Sequence, residues 1–356
     1  MIATGMNSAA LSGAKASEQA GAKATPDHGD VRAEFHALLS GCGLYDLSWR
    51  AKIAVTGGDR VRWMNGMVSN NVRDLAAGHG VYAFMLNAQG RIQADLYVFQ
   101  RGESLLVDTE NAQREKVLQL FDRYIIADDV EIADIGDRIA ALGLTGPQSR
   151  EVLERAGMVV PDLAYLQFAD VVWEHAGQKT TVTLVRSGQE AGESWQVWSS
   201  PEQLSVLRGW LITEGARPVG ATALNLFRIS RGIPQFGIDI RDRDLPQETG
   251  QARALNFTKG CYLGQEIVER IRSRGAVHRQ FMAFSIIEGE LPVPGAKIIA
   301  RASQDEKEVG EITSAAILTL HGEDRAVALG YLRREATGKE LYAGTAQLKP
   351  ASTPLV

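Results

Sequence analysis

The stretch Lys259-Gly-Cys-Tyr-Leu-Gly-Gln-Glu266 is the most distinctive in this chain of 356 residues. Its glycines, Gly260 and Gly264, let the backbone turn tightly and approach a ligand closely. Gln265 to Arg274 then reads as a helix, with Ile267, Val268 and Ile271 forming its apolar stripe. Cys261 therefore lies in a glycine loop just ahead of a helix start, beside Lys259. Unpaired amides at such an end and a nearby ammonium both favour thiolate over thiol. Free cysteines are more commonly buried and inert. Gly, Lys, Gln and Glu make a poor apolar socket, so the segment reads as a reactive Cys261 with Lys259 as its activator.

Working outward, Lys52–Thr56 reads as a strand, Gly57-Gly58 as a turn, and Asp59 as the opening of a helix. Ile139–Thr145, Gly146-Pro147 and a helix ending at Gly157 repeat that plan, hinting at two related halves. Between them lies a meander of strand-like runs at Val81–Asn87, Arg91–Gln100 and Ser104–Thr109. Val117, Leu120, Phe121 and Tyr124 at helical spacing predict a helix over Asn111–Tyr124, and Leu204–Gly215 predicts another. From Phe281 the texture changes to short strands, Phe281–Ile287, Lys297–Ala300, Val309–Ser314 and Ala326–Leu332, as in a small β-barrel. The expected organisation is an α+β chain with a disordered tail over 1–30, a main region over 31–276 and a C-terminal barrel over 277–356.

Composition narrows the function. Hydrophobic residues make up 45% and the net charge is -5, which fits a globular protein and argues against non-specific coating of nucleic acid. No apolar run reaches the roughly 18 residues of a membrane span, and the first 30 residues lack an apolar export core. Two cysteines, Cys42 and Cys261, are too few for a disulfide scaffold or a self-held iron–sulfur cluster. They point to a reducing cytosol. The six histidines show no metal-ligand spacing, so no metal site is expected. Arginine is concentrated between Arg228 and Arg279; an anionic small molecule or RNA could use it, although most of these residues read singly as a solvated face. In Arg91–Val98, alternation puts Ile92, Ala94, Leu96 and Val98 on one face. Arg91, Gln93, Asp95 and Tyr97 share the other face, which could line a cleft but which pattern alone sends to solvent.

Lys259–Glu266 also resembles the K-G-C-Y-x-G-Q-E signature of the YgfZ family, folate-binding proteins related to the glycine-cleavage T-protein, an aminomethyltransferase. Similarity continues through Leu226–Pro234, Gly43–Ser48, Lys52–Gly57, Asn70–Val72, Val309–Ser314 and Ala328–Tyr331, covering nearly all of the chain after about residue 31. The resemblance implies a T-protein-like ring of ferredoxin-like subdomains around a central folate channel, followed by a small β-barrel. It implies tetrahydrofolate or a derivative as cofactor and a cytoplasmic accessory role in assembling or repairing iron–sulfur proteins. That role would support enzymes that modify tRNA, with iron–sulfur carriers or clients as partners and Cys261 as the reactive thiol. By position Tyr82, Asp95 and Arg228 match folate-contacting places, and Tyr262, Gln265 and Glu266 of the loop join that set. The alternative is a tetrahydrofolate-dependent aminomethyl- or methyltransferase in which Asp95 positions the folate nitrogen. Two departures weigh against that alternative. Ala94 stands at the first of two adjacent acids in the T-protein pattern G-x-I-x-D-D-L. In Arg186–Gln196 the pterin-reading glutamate falls on Gly192, with Glu190 and Glu193 near it.

Overall fold

In a computed structural model, which describes residues 25–188, 193–275, 277–302, 305–320 and 322–356, the chain forms two compact units. Among the described residues, the larger contains 25–83 and Asp95–Leu224; the smaller contains Phe84–Ala94 and Asn225–Val356.

Two copies of one topology build the larger unit. The first runs β2 (Arg50–Thr56), α2 (Arg60–Met67), β3 (Gly80–Leu86), β4 (Ile92–Gln100), β5 (Leu105–Glu110), α3 (Asn111–Tyr124) and β6 (Glu131–Asp134). Its sheet has the order β3-β4-β5-β2-β6. The second runs β7 (Ala140–Thr145), α4 (Ser149–Arg155), β8 (Phe168–His175), β9 (Gln178–Arg186), β10 (Ser194–Ser199), α5 (Pro201–Thr213) and β11 (Arg217–Pro218). Its order is β8-β9-β10-β7-β1-β11, with β1 (Gly43–Asp46) let in between β7 and β11. Setting β1 aside, the two sheets share one strand order, that of a ferredoxin-like βαββαβ unit with an added strand. The repeated strand–turn–helix pattern in the sequence is thus a repeated topology.

Local chemistry explains the elements. Asp30 caps α1 (Val31–Ser40) by accepting from the Ala33 amide, and Ser200 caps α5, which starts with Pro201. Val117 and Phe121 of α3 are wholly buried, and Phe121 meets Trp63 of α2 edge-on at 5.2 Å. Of the tail expected over 1–30, residues 1–24 lie outside the described residues. From Thr25 the chain is tied down, because the Ala221 and Thr222 amides donate to the carbonyls of Thr25 and Pro26.

In the smaller unit, the end of α6 (Ala221–Ser230), two short 3-10 turns and α7 (Gln265–Arg274) precede a closed barrel. Its order is β12 (Arg279–Glu288), β15 (Glu323–Arg333), β14 (Asp305–Leu320), β13 (Lys297–Ala302), β16 (Glu340–Ala343) and β17 (Ala346–Ala351). Pairing of β17 with β12, Ala283 opposite Ala351, closes the ring. Phe284, Ile298, Ile312, Leu332 and Leu341 fill it. The sequence reading misses β16 and β17. Among the described residues no helix is long and apolar enough to cross a membrane.

Candidate functional site

Register decides which side chains share the decisive face of the first sheet. Lys52 pairs with Asp108, Arg50 with Glu110, and Tyr97 with Asp108. With two-residue alternation, Arg50, Lys52, Asp108, Tyr97 and Asp95 therefore point the same way. The opposite face is apolar, with Ile92, Ala94, Leu96 and Val98 all wholly buried.

Asp95 is held rather than left to solvent. Its Oδ2 accepts from the Tyr82 hydroxyl at 2.7 Å and its Oδ1 from Gln113 Nε2 at 2.8 Å. The same amide's Oε1 takes the Asp95 N–H at 3.0 Å, and the Thr109 hydroxyl donates to the Asp95 carbonyl at 2.8 Å. Each carboxylate oxygen keeps a lone pair for a ligand. Tyr82 is 5% exposed, its ring 5.0 Å from that of Tyr97, so it supports Asp95 more than it offers a stacking surface. Beyond Tyr97, Arg50 lies 5.3 Å from that ring and 5.4 Å from the ring of Trp49. Alternation misplaces Asp95 because it cannot see the donors that Tyr82 and Gln113 bring from a neighbouring strand and from α3. The Ala94 departure also loses its force. Position 94 is wholly buried on the apolar face, so an acid there would add nothing to the face that carries Asp95.

The Lys259–Glu266 loop is organised differently. Cys261 is exposed. Lys259 is buried, and its ammonium lies 5.1 Å from the centre of the Tyr262 ring. Tyr262 is buried too, and its hydroxyl has no hydrogen-bond partner among the described residues. Burial, with help from the charge of Glu269, pushes that phenol up to about 12. Two of the amides expected to be free beside Cys261 are engaged within the loop. The Tyr262 amide donates to Gln265 Oε1 at 3.3 Å, and the Gln265 amide to the Tyr262 carbonyl at 3.2 Å. Gln265 thus ties the loop to the helix start. Glu266 does not, because it is exposed and pairs with Arg270 one turn along at 3.0 Å. Gly264 makes its close approach to the chain's own hairpin rather than to a ligand. At φ +82° a Cβ there would lie 2.5 Å from the Asn87 carbonyl, while one on Gly90 would lie 2.8 Å from Ile267. The second cysteine, Cys42, is buried beside Ser149, and burial pushes its thiol up to about 11.

Arg228 belongs to neither constellation. Its fork is taken by Asp239 at 2.7 Å, Asn225 at 2.8 Å and Ser314 at 3.0 Å, with Asp239 wholly buried. That knot is structural and corrects the expectation of a folate-contacting arginine. Gly192 and Glu190 lie outside the described residues, and Glu193 pairs with Arg186 at 3.4 Å. The structure brings Tyr82 to Asp95, and Lys259 to Tyr262 and Gln265. Sequence reasoning missed Gln113, Tyr97 and Arg50, which register alone adds to the Asp95 face.

Residues 9–259 match the family described as the GCVT N-terminal domain. Similar curated proteins include aminomethyltransferases of Rubrobacter xylanophilus, 27% identical over 92% of this chain and 85% of that protein, and of Geobacillus kaustophilus, 28% identical over 85% and 82%. The glycine cleavage system aminomethyltransferase T of Bartonella henselae superposes with a TM-score of 0.79 at 19% identity over 96% of both chains. That likeness establishes a T-protein-like fold.

Proposed function

Because this chain belongs to the GCVT N-terminal domain family, we propose that it binds a reduced folate on the Tyr82–Asp95 face and acts in tetrahydrofolate-dependent aminomethyl transfer. The observation that carries the reading is the carboxylate of Asp95, clamped by Tyr82 and Gln113 with one lone pair free on each oxygen. The names of the relatives support the same reaction class.

The residues present fit such a ligand. A flat heterocycle finds the half-buried ring of Tyr97, and a ring N–H finds Asp95. A bound tetrahydrofolate supplies the nitrogens that accept a one-carbon unit. Asp95 orients the nitrogen nearest to it and holds or takes its proton at Oδ2, as a fixed acid–base group does. Tyr82 and Gln113 keep that carboxylate from rotating away. Incubation with tetrahydrofolate and S-aminomethyl thiol donors tests the reading: methylene-tetrahydrofolate is expected to form, with release of ammonia and the free thiol and no change of oxidation level, and to be lost in Asp95→Asn. No product from the wild-type protein with any donor would overturn transfer.

A second reading, an accessory role in iron–sulfur protein assembly or repair, is favoured by one observation. Cys261 is exposed between buried Lys259 and Tyr262, a sulfur presented by a well-anchored loop. In a deletion strain, Cys261→Ser is expected to bind folate normally yet fail to restore cluster-dependent enzymes under this reading. Full complementation would sink it.

A further inference from the structure

The face that carries Asp95 also carries a buried ionic cluster that the transfer chemistry does not use. Asp108, 1% exposed, receives Arg50 Nε at 2.5 Å on Oδ1 and stands 3.0 Å from Lys52 Nζ through Oδ2. Lys52 is 1% exposed as well, with its ammonium 5.1 Å from the centre of the Trp198 ring. Two cations thus share one carboxylate. Glu110 stands opposite Arg50 in the register and its charge favours the guanidinium, while the ion-pair partner of Arg50 among the described residues is Asp108. Burial lowers the pKa of Lys52 against the pull of Asp108, and the charge of Arg50 adds to the lowering. Surplus positive charge taken out of water is costly unless an anion answers it.

One donor of the cluster stays open. Arg50 spends Nε on the Asp108 carboxylate and Nη2 on the Asp108 carbonyl at 3.2 Å, while Nη1 makes no hydrogen bond among the described residues. The guanidinium lies 5.4 Å and 5.3 Å from the ring centres of Trp49 and Tyr97, and the side chain keeps 11% exposure. A fixed guanidinium edge is matched to a carboxylate.

We propose that Arg50 anchors a carboxylate of the ligand on the Asp95 face, with Asp108 and Lys52 as the residues that position it. The proposal deepens the folate reading and rests on it for the identity of the ligand. The carboxylate is either that of the glutamyl tail of a folate or that of an amino acid bound beside it.

Calorimetric titration of the full chain tests this with four probes: p-aminobenzoyl-glutamate, its carboxyl-free analogue 4-aminobenzamide, N-methylglycine and tail-less 6-methyltetrahydropterin. At least one carboxylate probe is expected to bind the wild type and to weaken by about 10- to 100-fold in Arg50→Gln, the range for losing a charged hydrogen bond. Arg50→Lys should fall between, and binding of the pterin should not change. A loss confined to p-aminobenzoyl-glutamate assigns the folate tail, and one confined to N-methylglycine assigns an amino-acid ligand. The anchor is overturned if neither carboxylate binds, if p-aminobenzoyl-glutamate binds no better than 4-aminobenzamide and N-methylglycine does not bind, or if Arg50→Gln weakens the pterin equally. A wild type that takes the carboxylates but not the pterin sinks the folate reading and leaves the anchor standing. Should Arg50→Gln not fold, discrimination by the wild type between the probes with and without a carboxyl decides.

Discussion

Asp95 and Cys261 are the two candidate reacting groups, and they are held in opposite ways. Asp95 receives a donor on each carboxylate oxygen, one from Tyr82 on a neighbouring strand and one from Gln113 on α3. Cys261 is displayed on a loop whose anchoring contacts are made by Lys259, Tyr262 and Gln265 rather than by the sulfur. A clamped carboxylate suits one bound geometry, as proton handling on a small ligand requires. An exposed thiol on a braced loop suits an encounter with something larger. The difference explains why two readings of the function arise from one chain, and it can be tested residue by residue.

The largest expected effect is that of Asp95→Asn, which should lower the transfer rate by about 10²- to 10⁴-fold while leaving the melting temperature near that of the wild type. A fall of less than tenfold would place the chemistry elsewhere. Next come the thiols. With Cys42 pushed up to about 11, its thiolate at pH 8 is on the order of a thousandfold scarcer than its thiol. Native protein should therefore release one rapid equivalent in a thiol-labelling assay, from Cys261, and a second only on unfolding. Because the folded state holds the Cys42 proton above its ordinary value of 9.0, stability should decline as pH rises from 9 toward 11. Urea midpoints of Cys42→Ala should lack that part of the decline.

Smaller effects probe the supports. Gly264→Ala forces a side chain at φ +82° against the Asn87 carbonyl, and should cost about 1–3 kcal/mol in urea unfolding. A neutral result would mean that the hairpin yields freely. Tyr82→Phe removes one of the two donors to Asp95 and should slow transfer by about tenfold. The smallest effect belongs to Cys261→Ser, expected to stay within about 0.5 kcal/mol of wild-type stability and to leave transfer untouched. A loss of transfer in that variant would dissolve the contrast between the two groups.

Much of this was legible in the chain. The spacing of Val117 and Phe121 predicts α3 over its observed bounds, and the Gly-bearing turns put β3, β4 and β5 within a residue or two. The paired strand–turn–helix units reflect a true repeat of topology. Elements built from weak local signals were not legible. In β17, Ala-Gln-Leu-Lys-Pro-Ala offers no β-branched residue, and closure of the barrel alone makes it a strand. The site was half legible. Asp95 and Tyr82 came from likeness to a family pattern, while Gln113, Tyr97 and Arg50 depend on which strands and helix lie side by side. A lysine at a strand start, such as Lys52, looks solvated until the register sets Asp108 opposite it. Arg228 failed for the converse reason: a basic residue in a suggestive motif was already satisfied by a buried partner.

The closed barrel has one further consequence. A ring of six strands has no unpaired rim onto which a second molecule could add a strand, whereas the sheet that ends at β8 does. β8 carries a half-exposed Val172 but also Asp170 and Glu174. Those carboxylates are matched by Arg101 at 3.4 Å and Lys179 at 3.5 Å, and Met158 bridges to Trp173, so a strand added at this rim would have to displace contacts the chain already makes.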